Sequence, residues 1–70
     1  MQTIRALREA RGLTQHQLAA LVGTSSAVVS HWETGNRGIS AVMLRKVARA
    51  LGVSMDEIAL PGDRENDRSS

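Results

Sequence analysis

Cysteine is absent from this 70-residue chain, as are phenylalanine and tyrosine, and tryptophan and proline occur once each, at Trp32 and Pro61. Without thiols there is no disulfide framework and no thiolate zinc site, and neither His16 nor His31 stands beside a second ligand at a metal-binding spacing. Stability must come from packing alone, in a domain so short that it buries only about 60% of the surface its unfolded chain exposes. A core nearly free of aromatics has to be built from Leu, Val, Ile, Ala and Met. That composition favours short helices over strands, so an all-α domain is expected. Long apolar runs are lacking too. The longest, Leu18 to Val22, is far below the roughly 20 residues that span a bilayer, and the first residues show no basic-then-apolar signal pattern. These absences imply a cytoplasmic protein with no metal and no cofactor, and the length excludes a large enzyme with a deep cleft.

Acidic side chains are scarce over most of the chain. Residues 1–52 hold Arg5, Arg8, Arg11, Arg37, Arg45, Lys46 and Arg49 against Glu9 and Glu33 alone. The formal charge returns to +2 only through Asp56, Glu57 and the mixed last ten residues. Such segregation permits a nucleic acid partner without requiring one.

What is present is a series of helix caps, since Ser or Thr before a periodic run and Gly after it satisfy the orphan backbone groups at each end. Thr3 precedes Ile4, Leu7 and Ala10, spaced to line one face of a first helix that Gly12 stops. Thr14-Gln15-His16-Gln17 reads as a capping box, opening a second helix, Gln15–Val22, in which Leu18, Ala19 and Val22 supply the buried stripe and which Gly23 ends. A third helix begins at Ser25 or Ser26, carries Val29 and Trp32 inward, exposes Ser26, Ala27, Ser30 and His31, and closes at Gly35. After the polar loop Asn36-Arg37-Gly38, Ser40 caps a fourth helix with Leu44, Val47, Ala48 and Leu51 inside and Arg45, Lys46 and Arg49 outside, ending at Gly52. Ser54-Met55-Asp56-Glu57 reads as a second capping box, opening a short fifth helix that contains Ile58 and that Pro61 ends. From Gly62 onward no apolar residue occurs, so one domain over residues 1–61 and a disordered polar tail over 62–70 are expected. The second and third helices, joined at Gly23-Thr24, form a helix-turn-helix, a weak signal by itself because helical corners are common.

The wording of residues 13–37, LTQHQLAALVGTSSAVVSHWETGNR, resembles the helix-turn-helix of the phage repressor and Cro family, also called the Xre family. The resemblance covers about residues 3–60. It rests on the Leu-Thr-Gln entry, Leu-Ala in the second helix, Val-Gly at the turn, Ser30 to Gly35 closing the third helix, and the Ala48 to Ser54 stretch. Ile39 departs from it, standing where relatives usually place a proline.

The resemblance implies a compact five-helix fold like that of lambda repressor, with the third helix in the major groove and its N-terminal residues toward base edges. On this chain those positions are Ser25, Ser26, Ala27 and Val28, with His31 one turn on. Ser25 serves equally as a plain helix cap. Small side chains without bidentate reach imply readout through thymine methyl contacts from Ala27 and Val28 and water bridges from the serines. The resemblance also assigns phosphate contacts to Thr14, Gln15, Asn36 and Arg37, and Ser30 either reaches a phosphate or stays solvated. At Gln15 it implies a brace for the recognition helix, and at Thr14 the hydroxyl also fits as a cap. Arg8 and Glu33 match a structural ion pair linking the first helix to the end of the third, outside the DNA contact. Trp32 reads as core, not as a stacking platform. Met55, Ile58, Ala59 and Leu60 match a dimer-forming end, and a symmetric homodimer, formed mainly on DNA if its interface is small, would demand a near-palindromic site; the alternative is a monomer in which Ile58 and Leu60 close the core.

The expected function is a double-stranded DNA-binding transcriptional regulator, a repressor of bacterial or phage origin acting by promoter occlusion. The alternative keeps the fold and makes the chain a protein-interaction module, an antitoxin-like or co-regulator subunit. An enzyme is not expected, because there is no carboxylate pair, nucleophile-base constellation or phosphate-cradling glycine loop.

Overall fold

A computed structural model describes residues 1–35 and 38–60. The elements run β1 (Gln2–Thr3), α1 (Ile4–Ala10), α2 (Gln15–Val22), α3 (Ser26–Thr34) and α4 (Ala41–Leu51), then a 3-10 turn (Met55–Glu57) and β2 (Ile58–Ala59). The expected domain end at residue 61 and the polar tail over 62–70 lie outside the described residues.

Local capping explains where the helices start and stop. The hydroxyl oxygens of Thr3, Thr14, Ser25 and Ser40 accept from the backbone N–H groups of Ala6, Gln17, Val28 and Met43. At α2 the box is complete, because the Thr14 N–H also donates to Gln17 Oε1 at 2.8 Å. Gly23 ends α2 with φ at +78°, a left-handed conformation that an L side chain adopts only at a cost of roughly 1–2 kcal/mol. Thr14→Ala removes one reciprocal bond and is expected to lower stability by about 1 kcal/mol, read from urea unfolding; an unchanged midpoint would refute the capping role.

The helices enclose one core. Its largest fully buried side chains are Leu18 from α2, Val29 from α3, and Val47 and Leu51 from α4. Each contributes about 1.5–3 kcal/mol of transfer free energy. Trp32 is 4% exposed at the same core, and Ile39 packs on its edge. In α4 the inner stripe is Val47, Ala48 and Leu51, with Leu44 half-buried.

Two expectations are corrected. In α1 the inner face is Ile4, Leu7 and Arg8, and Ala10 is exposed. At about 100° per residue, Arg8 lies roughly 40° from Ile4 and Ala10 roughly 120° away, so the even spacing of the three apolar residues is not a face.

The all-α, five-helix architecture is the second correction: the described residues contain four α-helices and a two-stranded parallel pair, with Gln2 opposite Ile58 and Thr3 opposite Ala59. The segment expected to be a fifth helix makes only the 3-10 turn before turning extended at Ile58. Ser54 forms no side-chain cap with the backbone; its hydroxyl donates to the Glu57 carboxylate at 3.4 Å. A helix held between Ser54 and Pro61 would be too short to repay its nucleation, and the residue before proline disfavours helical backbone. The extended backbone instead puts Ile58 into the core at 4% exposure and gives β1 a hydrogen-bonding neighbour.

Candidate nucleic-acid interface

Helices α2 and α3 meet through the turn at Gly23, and a polar knot on the α1 side holds their relative orientation. Arg8 Nε donates to Glu33 Oε2 at 2.8 Å, Arg8 Nη2 to Glu33 Oε1 at 3.4 Å, and Arg8 Nη1 to the Leu13 carbonyl at 2.8 Å. Gln15 Nε2 donates to Glu33 Oε1 at 3.0 Å. One carboxylate at the end of α3 thus ties together α1 and the first residue of α2. The Arg8 and Glu33 side chains are 10% and 5% exposed, and no buried side-chain nitrogen or oxygen among the described residues lacks a partner. The Glu33 hydrogen bond raises the Arg8 pKa above its ordinary value against the opposing pull of burial, so the guanidinium stays charged at any pH where the protein is folded.

Beside this knot the starts of α2 and α3 border one open depression, lined by Thr14, Gln15, His16 and Ser26 together with Arg8, Glu9, Gly12 and Leu13. Thr14 is exposed and Gln15 half-buried. Ser25 is exposed and its oxygen caps α3, 3.3 Å from the Val28 N–H. Along the outer face of α3, Ala27 and His31 are exposed and Ser26 and Ser30 half-buried. Val28 is half-buried against the core and lines a cleft with Trp32 and Met43. Asn36 and Arg37 lie outside the described residues.

At the other end of the chain Met55, Ala59 and Leu60 are half-buried. Ile58, named with them as a partner contact, instead places its side chain in the chain's own core. His16 was not singled out from the sequence, although its position as the second residue of α2, directly after Gln15, is the signal that places it beside the α3 N-terminus.

A family model described as helix-turn-helix matches residues 4–58, which takes in α1 through the start of β2. The chain belongs to the Xre-like helix-turn-helix family. Members of this family are non-enzymatic DNA-binding transcriptional regulators. The chain is 40% identical over 58 residues to the uncharacterized HTH-type transcriptional regulator YazB of Bacillus subtilis, covering 83% of this chain and 84% of that one. It is 39% identical over 59 residues to the competence pilus inhibition repressor of Acinetobacter baylyi, covering 84% of this chain and 54% of the repressor. Among solved structures, the restriction-modification controller protein C.AhdI from Aeromonas hydrophila superposes with a TM-score of 0.74 at 41% identity, over 77% of this chain and 78% of the controller. No helix among the described residues of this Xre-like protein is long and apolar enough to cross a membrane.

Proposed function

We propose that this Xre-like protein is a repressor that binds a near-palindromic operator as a homodimer, with α3 in the major groove, and blocks promoter access. The observation that carries the reading is the outer face of α3, where exposed Ala27 and His31 stand beside the open start of α2 on a frame pinned by the Gln15–Glu33 bond. Ser25, Ser26, Ala27 and His31, with the edge of Val28, read the bases: Ala27 and Val28 through thymine methyls, the serines through water, and His31 by donation to a guanine. Thr14, Gln15, Ser30, Asn36 and Arg37 hold phosphates. Thr14 combines its phosphate contact, and Ser25 its base contact, with capping, because an oxygen that accepts from the backbone still has a hydroxyl hydrogen to donate. Met55, Ala59 and Leu60 form the dimer contact, and Ile58 supports them from inside the core. Two recognition helices then lie about 34 Å apart, one duplex turn.

Selection of binding sites from a randomised duplex pool tests specificity and symmetry together. The expected product is an inverted repeat whose affinity falls steeply with salt and falls further for Arg37→Ala and His31→Ala. A folded protein that enriches no sequence, or an affinity indifferent to salt and to both substitutions, would falsify this function.

A further inference from the structure

On a different part of the molecule, the C-terminal ends of α2 and α4 form an open groove of about 610 Å³, bordered by Ala20, Leu21, Gly23, Lys46, Arg49 and Ala50. Its chemistry is unlike that of a solvated helix face. Leu21 is 61% exposed at this groove, and Val42 is 62% exposed one turn before Lys46. Val42, Lys46 and Arg49 follow the i, i+4, i+7 spacing of a single helix face. Neither α2 nor α4 contains an acidic residue. Among the described residues, no carboxylate lies within ion-pair distance of Lys46 or Arg49, whereas Arg5 and Arg8 both have acidic neighbours.

A lining of apolar residues whose charged members, Lys46 and Arg49, are both cationic selects its occupant. Phosphate backbone would satisfy the two cations but leave Leu21 against water. The last nine residues of this chain contain no apolar side chain to cover Leu21. A second copy meeting groove to groove would bring two uncompensated pairs of cations, Lys46 and Arg49 from each chain, into one interface. The remaining fit is a helix with an apolar stripe flanked by Asp or Glu, which buries Leu21 and pairs both cations at once. We propose that this groove docks an acidic amphipathic helix of another protein. The docking site uses none of the residues assigned to DNA, so either reading can fail without the other.

The test uses the isotopically labelled full chain and a capped peptide of about 14 residues, roughly 21 Å as a helix, with leucines along one face and glutamates on both sides. The largest amide shift changes are expected at Leu21, Gly23, Lys46, Arg49 and Ala50. Affinity is expected to weaken at least tenfold in the Lys46→Glu/Arg49→Glu double variant and in Leu21→Ser. All three side chains are exposed, so both variants should retain the parent thermal midpoint. A control peptide with lysines in place of the glutamates is expected not to bind. The proposal is overturned by an absence of shifts up to about 1 mM peptide, or by binding that survives the charge reversal. It is equally overturned if random-sequence duplex, and not the peptide, moves these amides, or if they move on self-association alone.

Discussion

Glu33→Ala is expected to lower the folding free energy by about 3 kcal/mol, because it leaves the buried Arg8 guanidinium with only the exposed Glu9 carboxylate, 3.9 Å away, as counter-charge. The same truncation removes the acceptor of Gln15 Nε2, so the first residue of α2 loses its tie to the end of α3. For a domain of this size the thermal midpoint should fall by roughly 15 °C, measured by circular dichroism. Replacing both partners with apolar residues, Arg8→Met with Glu33→Leu, is expected to recover much of that loss, since a buried pair costs desolvation that an apolar contact does not. The salt slope of DNA binding should stay at the parent value for the folded variant, because Glu33 touches no phosphate in the proposed complex. A loss below about 1 kcal/mol for Glu33→Ala would mean that water reaches Arg8 easily and that the knot does not hold α3.

Trp32→Ala should have the largest effect, a loss of about 3–5 kcal/mol that leaves the chain largely unfolded at room temperature. The indole is 4% exposed and borders the cleft between α3 and the start of α4, beside Val28 and Met43. No second aromatic is present to fill the space. Trp32→Phe keeps most of the apolar volume and is expected to stay folded and to bind duplex DNA with affinity close to the parent. Because Trp32 is the single fluorophore of its kind, its emission should be blue-shifted in the native state and move red on unfolding. A well-folded Trp32→Ala variant that had lost only DNA affinity would make the indole a base-stacking group and overturn its role as core.

Four helices and their ends were legible from residues a few positions apart. Thr3, Thr14, Ser25 and Ser40 all cap as their spacing implies, and Gly23, Gly35 and Gly52 all take the left-handed conformation that closes a helix. The same local grammar misled at Ser54, where a four-residue capping pattern was present but the segment behind it was too short to form a helix. It also misled at Ala10, where regular spacing of apolar residues stood in for the angular position that decides burial.

The candidate interface was only partly legible. The resemblance placed Gln15 and the outer face of α3, but nothing in the residues alone joins Gln15 to Glu33 across 18 positions, or brings His16 beside Ser26. Arg45, Lys46 and Arg49 read as a solvated face; the groove at Lys46 and Arg49 exists only because the end of α2 brings Leu21 beside them.

By itself, then, the sequence determined the four helices, their caps, the glycine turn between α2 and α3 and the family to which the chain belongs. These depend on hydrogen bonds and side-chain periodicity within one or two turns of backbone. Only the tertiary structure decided that Arg8 is an inside residue, that Ile58 reaches the core from a strand paired with Gln2 and Thr3, and that a cationic apolar groove opens between α2 and α4. Each of these joins groups distant along the chain, and whether such groups meet is set by how the helices pack, which no local pattern encodes.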